Sequence, residues 1–384
     1  MAADLSTNKT ERFPATESAL VSDEALDLFF LLSTGALLPT CLLGIATNCL
    51  NIISYKIMGF QDSATSCFFA LSVSDLGSTV IFLAITLSCI IKIQFPALPV
   101  NIFDLVYVLS SDLSMVCDIS IVLKTYIAIQ QGCCVAFPFR VKHLFTRRKT
   151  TAVILCVYTF CVACYLPSLC LKSLRAVTHS STNRTEISLF LKNGWVLADS
   201  FVNFFNRSVL ICTCQLLILI SMIIIMSGLS VSLQYRQLAW VGEYSKTKSH
   251  SMRRLHLLRQ VTVSLKMERH RGHQVRQHTS RKQQEAVGTQ LLWRNKELRV
   301  LKQVTLVSGI FFTCNIPAVI ISIANRIVPE FRYRDIYSNL VWVLFACSHF
   351  AGLISSSTTF FIYCNFNSKF IKTVEKLVGH CRRR

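Results

Sequence analysis

A chain of 384 residues is long enough for two or three soluble domains, yet 52% of its residues are hydrophobic and its mean hydropathy is +0.48, which water-soluble folds seldom reach. Forty Lys and Arg against 20 Asp and Glu leave a net charge of +20, and in so apolar a chain that charge must lie outside the apolar runs. The balance excludes a globular enzyme, a disordered tail and a collagen-like fibre. The 17 cysteines sit mostly within apolar runs, where Cys is a small hydrophobe and not part of a disulfide framework.

Residues 1–21 are polar and lack the basic start and apolar core expected of a cleavable signal peptide. Seven segments then reach the ~20 apolar residues that a bilayer-spanning helix needs, at 28–55, 64–91, 102–134, 151–171, 204–235, 301–323 and 336–363. The expected fold is an all-α membrane protein, a seven-transmembrane-helix bundle. Its parts are an extracellular tail (1–27), helices one to five (28–231), a basic cytoplasmic loop (232–300), helices six and seven (301–363), and an interfacial helix with a tail (364–384). The loop reads either as a solvated, largely disordered segment or as one whose ends, 234–240 and 293–302, extend spans five and six.

Orientation follows from the basic residues, which concentrate in cytoplasmic loops. Arg140, Lys142, Arg147, Arg148 and Lys149 follow span three. Residues 232–302 hold 16 Lys or Arg against four acids, and Lys369, Lys372 and Lys376 follow span seven. The amino terminus is therefore expected outside and the carboxyl terminus inside. The three glycosylation sequons, at Asn8, Asn183 and Asn206, fall on the side so assigned to the exterior.

An ionised side chain at mid-membrane costs about 2.5 to 3.5 kcal/mol on insertion scales, so polar residues within the spans are candidate functional groups. They are Asn48 in span one, Asp75 in span two, Asp112, Asp118 and Lys124 in span three, Asn315 in span six and His349 in span seven. At about 100° per residue Ser120, Lys124 and Gln131 share one face of span three. Lys124 is then expected either to meet Asp75 or to reach down to the cytoplasmic edge.

With these residues in place the chain resembles the rhodopsin-like (class A) G-protein-coupled receptors. Gly44 to Asn48 is similar to the family's first-helix Gly-Asn signature, and Leu71-Ser72-Val73-Ser74-Asp75-Leu76 to its second-helix Leu-Ala-x-x-Asp-Leu signature. Phe137-Pro138-Phe139 stands at the family's second-loop proline, Phe311, Cys314 and Pro317 match Phe-x-x-Cys-Trp-x-Pro, and Phe361-Ile362-Tyr363 closes span seven with Phe370 opening an amphipathic eighth helix. The residues around Pro138 and Tyr363 look most like mollusc-type chemosensory and neuropeptide receptors.

The resemblance implies a multi-pass plasma-membrane receptor that passes the binding of an extracellular ligand, peptide or small chemosensory molecule, to a heterotrimeric G protein or arrestin-like partner. It implies a ligand site at Asp112, Asp118, Asn315 and Trp342, and a polar site at Asn48, Asp75, Ser120 and Lys124 where the family holds sodium. It also implies a G-protein-facing set at Gln130, Gln131, Pro138 and Tyr363. A cationic ligand would suit the carboxylates, and the acidic tail mildly favours basic ligands.

Four departures qualify the match. Gln130 and Gln131 replace the family's acid and arginine, Asn315 its span-six Trp, and Thr359-Phe360 its span-seven Asn-Pro. The family's external disulfide has no cysteines to form it, which predicts a mobile loop between spans four and five. The rivals are a receptor-like scaffold that does not couple, and a membrane transporter, although no internal duplication is visible.

After Tyr363 the residues Phe366, Phe370, Ile371, Val374, Leu377 and Val378 share one helical face, with Lys369, Lys372 and Lys376 able to meet anionic inner-leaflet lipids. Cys381 beyond them is a candidate palmitoylation site. Cys161-x-x-Cys164 has no second ligand pair and His349 is one imidazole, so neither a metal nor a cofactor is expected. Phosphate loops and nucleophile–base pairs are missing from the pattern, which argues against an enzyme. Basic residues without an aromatic-interleaved fold argue against a nucleic-acid partner.

Glycosidase treatment should lower the apparent mass of the expressed protein, and Asn8→Gln with Asn183→Gln should remove most of that shift. Labelling of an epitope in 232–302 on intact cells would contradict the orientation.

Overall fold

Helix starts are set by side-chain caps that satisfy the free amides of a first turn. In the computed structural model, which describes residues 20–95, 98–137, 140–179, 184–228, 230–231, 302–303, 305–324, 327–328 and 337–381, Ser22 accepts from Ala25 N at 3.2 Å and opens α1 (Asp23–Met58). Asp62 accepts from Thr65 N at 2.6 Å before α2 (Ser63–Gln94), and Asn101 from Asp104 N at 3.3 Å before α3 (Ile102–Ala136). Gly59, with φ of 77°, ends α1 in a backbone conformation that only glycine adopts readily. A single turn, Val141–Leu144, leads to α4 (Arg147–Cys170), then a hairpin of β1 (Lys172–His179) and β2 (Arg184–Leu191). The remaining helices are α5 (Trp195–Gly228), α6 (Thr305–Ala324), α7 (Ser338–Phe366) and α8 (Ser368–Cys381).

Seven of these helices, α1 to α7, are long and apolar enough to cross a membrane. Their burial pattern inverts that of a soluble bundle. Leu155, Leu216 and Ile320 are 62%, 61% and 61% exposed, whereas Asn48, Asn51, Asp75 and Thr79 are at most 3% exposed. An apolar exterior around a polar interior suits lipid as the surrounding medium.

Helix α3 is the axis of the packing. Leu123 and Ile127 join Cys67 and Leu71 of α2 and Cys161 of α4, Ile121 and Ala128 join Ile218 of α5 and Phe311 of α6, and Leu113 joins Leu37, Phe82 and Leu353. Gly44 lets α1 approach closely, since a Cβ there would lie 3.0 Å from Thr79 Cγ2 and 3.2 Å from Ser357 Oγ. A fourth cluster, Tyr55, Tyr363 and Phe370, seats α8 on α1 and α7. Lys369, Lys372 and Lys376 of α8 stay exposed, while the side chains of Val378 and Cys381 are not described.

The segment between α4 and α5 differs from the mobile loop the sequence suggests. It forms an antiparallel hairpin in which Lys172 faces Leu191 and Ala176 faces Ile187. Asp104 Oδ2 accepts from Leu189 N at 2.9 Å, Asn101 N donates to Ile187 O at 2.9 Å, and Ile187 N donates to Pro99 O at 2.8 Å. Hydrogen bonds to the start of α3 thus do the anchoring that the resemblance assigns to a disulfide. Every cysteine whose side chain is described is free, Cys89 and Cys170 included.

Span five also starts earlier than expected, at Trp195, because Asp199 and Asn203 dilute its hydropathy while serving the interior. Asn203 Nδ2 donates to Asp199 Oδ2 at 2.7 Å, and Lys172 Nζ donates to Asp199 Oδ1 and to Ser111 Oγ, both at 3.0 Å. Burial pushes the Lys172 ammonium below its ordinary range, and the Asp199 carboxylate opposes that shift. A π-helical segment, Phe205–Leu210, follows within α5.

Mild dithiothreitol should leave the melting temperature of the folded protein unchanged. Asp104→Ala should speed hydrogen exchange of the β2 amides about tenfold, as expected for loss of a charge-assisted hydrogen bond. Exchange rates unaltered by the substitution would show that the carboxylate does not hold the hairpin.

Candidate functional site

Between α2, α3, α5, α6 and α7 lies a cavity of about 940 Å³, its solvent-open part included. Near the hairpin end it is lined by Ser114, Arg207, Ile321 and Phe345, at its middle by Cys117, Asp118, Ile211, Asn315 and His349, and at its floor by Asp75, Ser120, Lys124, Phe311 and Ser356. Its walls mix aliphatic and aromatic surface with a few polar groups, as small-molecule sites do.

The floor is an ion pair. Lys124 Nζ lies 3.3 Å from Asp75 Oδ1, with side-chain exposures of 9% and 4%, and its ammonium sits 4.8 Å from the Phe311 ring centroid. Of the two placements open to Lys124, the pairing with α2 is the one adopted. The register explains it: Ser120 and Lys124, one turn apart on α3, both face the cavity and α2. Asn48 belongs to a different contact. Its Nδ2 donates to Gly44 O at 2.9 Å and to Ser356 Oγ at 3.1 Å, tying α1 to α7, and so does not satisfy Asp75. Ser120 Oγ is buried without a hydrogen-bond partner.

Of the four residues expected at the ligand site, Asp118 and Asn315 line the cavity and Asp112 and Trp342 do not. Asp118, 3% exposed, accepts from Tyr165 Oη of α4 at 2.7 Å, and the Asn315 amide donates back to Phe311 O at 2.8 Å within its own helix. Asp112 is half-buried on α3 beside the Lys172 cluster.

Two further lining residues stand outside the ligand set that the resemblance implies. Arg207 lay inside a glycosylation sequon near a span boundary and so went unread as an intramembrane cation. Its Nη2 donates to Ser114 Oγ at 2.6 Å, and its guanidinium carbon lies 5.0 Å from the Phe345 ring centroid. His349 is the candidate polar group of span seven; its ring lies 5.3 Å from that of Phe345 and 6.1 Å from that of Phe82. Only the register of α5 and α7 across the bundle brings the two together, and single-helix periodicity carries no such information.

Asn206 requires a correction. It is 0% exposed within the π-helical segment, so a glycan on it cannot be accommodated in this packing. Asn8, Asn183 and Pro138 lie outside the described residues, as do 234–240 and 293–301.

Of the set expected to face a G protein, the three described members, Gln130, Gln131 and Tyr363, are buried. Tyr363, 2% exposed, packs edge-on against Tyr55 with ring centroids 5.9 Å apart and against Phe68 at 4.7 Å, because Phe370 of α8 closes over it. Gln130 is 5% exposed and its Nε2 donates to Ser63 Oγ at 2.7 Å, joining the base of α3 to the start of α2; Gln131 is 8% exposed. No group of three or more His, Cys, Asp or Glu among the described residues is arranged to hold a metal ion. The chain matches no family model and no curated protein.

Breaking one member of a buried ion pair leaves an uncompensated charge and costs about 3 to 5 kcal/mol. Lys124→Met or Asp75→Asn alone should therefore lower the yield and melting temperature of purified protein. The double substitution should recover a large part of both. Strictly additive losses in that cycle would show that the two side chains do not act as a pair.

Proposed function

We propose that the chain is a rhodopsin-like seven-helix receptor of the plasma membrane, with its amino terminus outside, that passes the binding of an extracellular ligand to a heterotrimeric G protein or an arrestin-like partner. The observation that carries this reading is the cavity walled by five helices, with a charged floor and polar groups along its depth. A ligand can shift a conformational equilibrium only through contacts that differ between the two states. One that touches α3, α5, α6 and α7 together meets four elements whose relative movement changes those contacts. The partial motifs at Asn48, Asp75, Pro317 and Tyr363 lend independent support.

On the cytoplasmic side the proposed coupling surface is built from the inner ends of α3, α5 and α6. The exposed Lys369, Lys372 and Lys376 of α8 suit anionic inner-leaflet lipids, at about 1 kcal/mol per basic residue near the surface. The eighth helix then lies along the interface, with Phe370 anchoring it to the bundle.

A second reading, a receptor-like scaffold that does not couple, is favoured by one specific observation. The base of α3 carries two neutral, buried side chains, one of them hydrogen-bonded to Ser63, where the family has an acid and an arginine. Replacing an ion pair by two amides is structurally cheap because neither is left as a buried unpaired charge. It removes the cationic contact for a G protein all the same, so weak or unusual coupling is the expectation.

A ligand-free coupling assay with a panel of G proteins separates the readings. The parent protein should give weak basal activation, and Gln130→Asp with Gln131→Arg should raise it severalfold. Strong parental coupling that the double substitution leaves unaltered would contradict the role given to the two glutamines, and no coupling in either protein would favour the scaffold.

A further inference from the structure

Four ionisable side chains line the cavity as acids or strong bases, and they are not equally satisfied. Asp75 and Lys124 neutralise each other at the floor. Asp118 accepts a 2.7 Å hydrogen bond from Tyr165 Oη. Arg207 is different: among the described residues the ion pairs are Lys124–Asp75 and Lys172–Asp199, so no carboxylate oxygen lies within 4.0 Å of its guanidinium. Its Nη2 donates to the neutral Ser114 Oγ and the side chain also interacts with Tyr165, while its Nε is buried with no partner among the described residues. Asp118, one turn below Ser114 on α3, acts on it only at longer range.

A second orphan points to the same place. His349 Nε2 is buried without a hydrogen-bond partner among the described residues. The His349 ring and the Arg207 guanidinium carbon lie 5.3 Å and 5.0 Å from one aromatic ring, that of Phe345, so both polar groups converge on the same region of the cavity. Leaving a buried polar group unsatisfied is unfavourable, more so when it is charged, and two such groups at one spot of the cavity mark where a ligand's polar group would satisfy both. The surrounding surface, Leu113, Ile211, Phe311, Ala318 and Ile321, is apolar.

We propose that the cavity takes a small amphipathic acid with a single negative charge, whose carboxylate is anchored by Arg207 and His349 and whose apolar body lies toward Phe311. The proposal rests on the receptor reading and names its ligand class. A planar guanidinium matches a carboxylate with two parallel hydrogen bonds, and Phe345 beneath it holds the fork in position. With Asp75 and Lys124 paired and Asp118 hydrogen-bonded to Tyr165, Arg207 is, among the described residues, the cation lining the cavity with no carboxylate within 4.0 Å, and one guanidinium can hold one carboxylate. A cationic ligand, which the carboxylates of α3 suggest from sequence, finds Asp75 already paired and Asp112 off the cavity wall, and it would share the cavity with the Arg207 guanidinium, which repels it.

The test is direct binding to the full-length protein in lipid nanodiscs, read by saturation-transfer NMR with empty nanodiscs as the partition control. The probes are phenylbutyrate, its neutral amide phenylbutyramide and the corresponding amine, phenylbutylamine. The carboxylate should bind about tenfold or more tightly than the amide, the difference a charge-assisted hydrogen bond provides, and the amine more weakly than either. Arg207→Gln should bring the carboxylate down to the level of the amide, whose own binding should not change and so reports an intact cavity; Arg207→Lys should retain part of the preference. An amine preference, a carboxylate no tighter than the amide, or a carboxylate preference that survives Arg207→Gln would each overturn the proposal. The comparison of probes on the parent protein needs no variant to fold. Because no cytoplasmic partner enters the measurement, failure to couple would leave this result standing, and lack of carboxylate preference would leave the receptor reading to its own assay.

Discussion

The ion pair between Lys124 and Asp75 constrains the rest of the bundle. Two charges withdrawn from water carry several kcal/mol of desolvation each, and attraction compensates only when they meet at close range. At 3.3 Å, with both side chains less than a tenth exposed, the pair fixes the register of α3 against α2 and sets the floor of the cavity. The Phe311 ring beside the ammonium brings α6 into the same contact. Because α3 packs against α2, α4, α5 and α6, a shift of that pair would be felt in each of the clusters built around it.

Where the resemblance places charge pairs or covalent bonds, this chain uses neutral or local substitutes. A carboxylate, Asp104, holds the hairpin to α3 where relatives of the resembled family are stapled by a disulfide. A hydrogen bond from Gln130 to Ser63 replaces an acid and an arginine at the other end of the same helix. A lysine stands where the family holds an exchangeable sodium ion. A built-in cation cannot dissociate as a bound ion does.

Much of this was legible in the sequence for a simple reason: hydropathy and charge are read by the bilayer along each helix separately. All seven spans and the shared face of Ser120 and Lys124 follow from one-dimensional periodicity. Three features did not follow. The alternation in Arg184–Leu191 signals a strand, but beside seven far stronger helical signals it read as loop. Asp199 and Asn203 lowered the hydropathy of the true start of α5, since their hydrogen-bond partners come from β1 and from each other and cannot be seen along the helix. Arg207 and His349 acquire meaning only where α5 and α7 face one another, and burial of Tyr363 depends on α8 folding back over it.

The central physical claim is that Lys124 permanently occupies the position of a cation at Asp75. It is tested most directly by melting the purified protein in sodium chloride and in choline chloride at equal ionic strength. The parent protein should melt at the same temperature in both salts, whereas Lys124→Met, with its carboxylate exposed to an empty space, should gain stability from sodium. A parent protein stabilised by sodium over choline would show that an exchangeable ion still binds at Asp75 and would contradict the account.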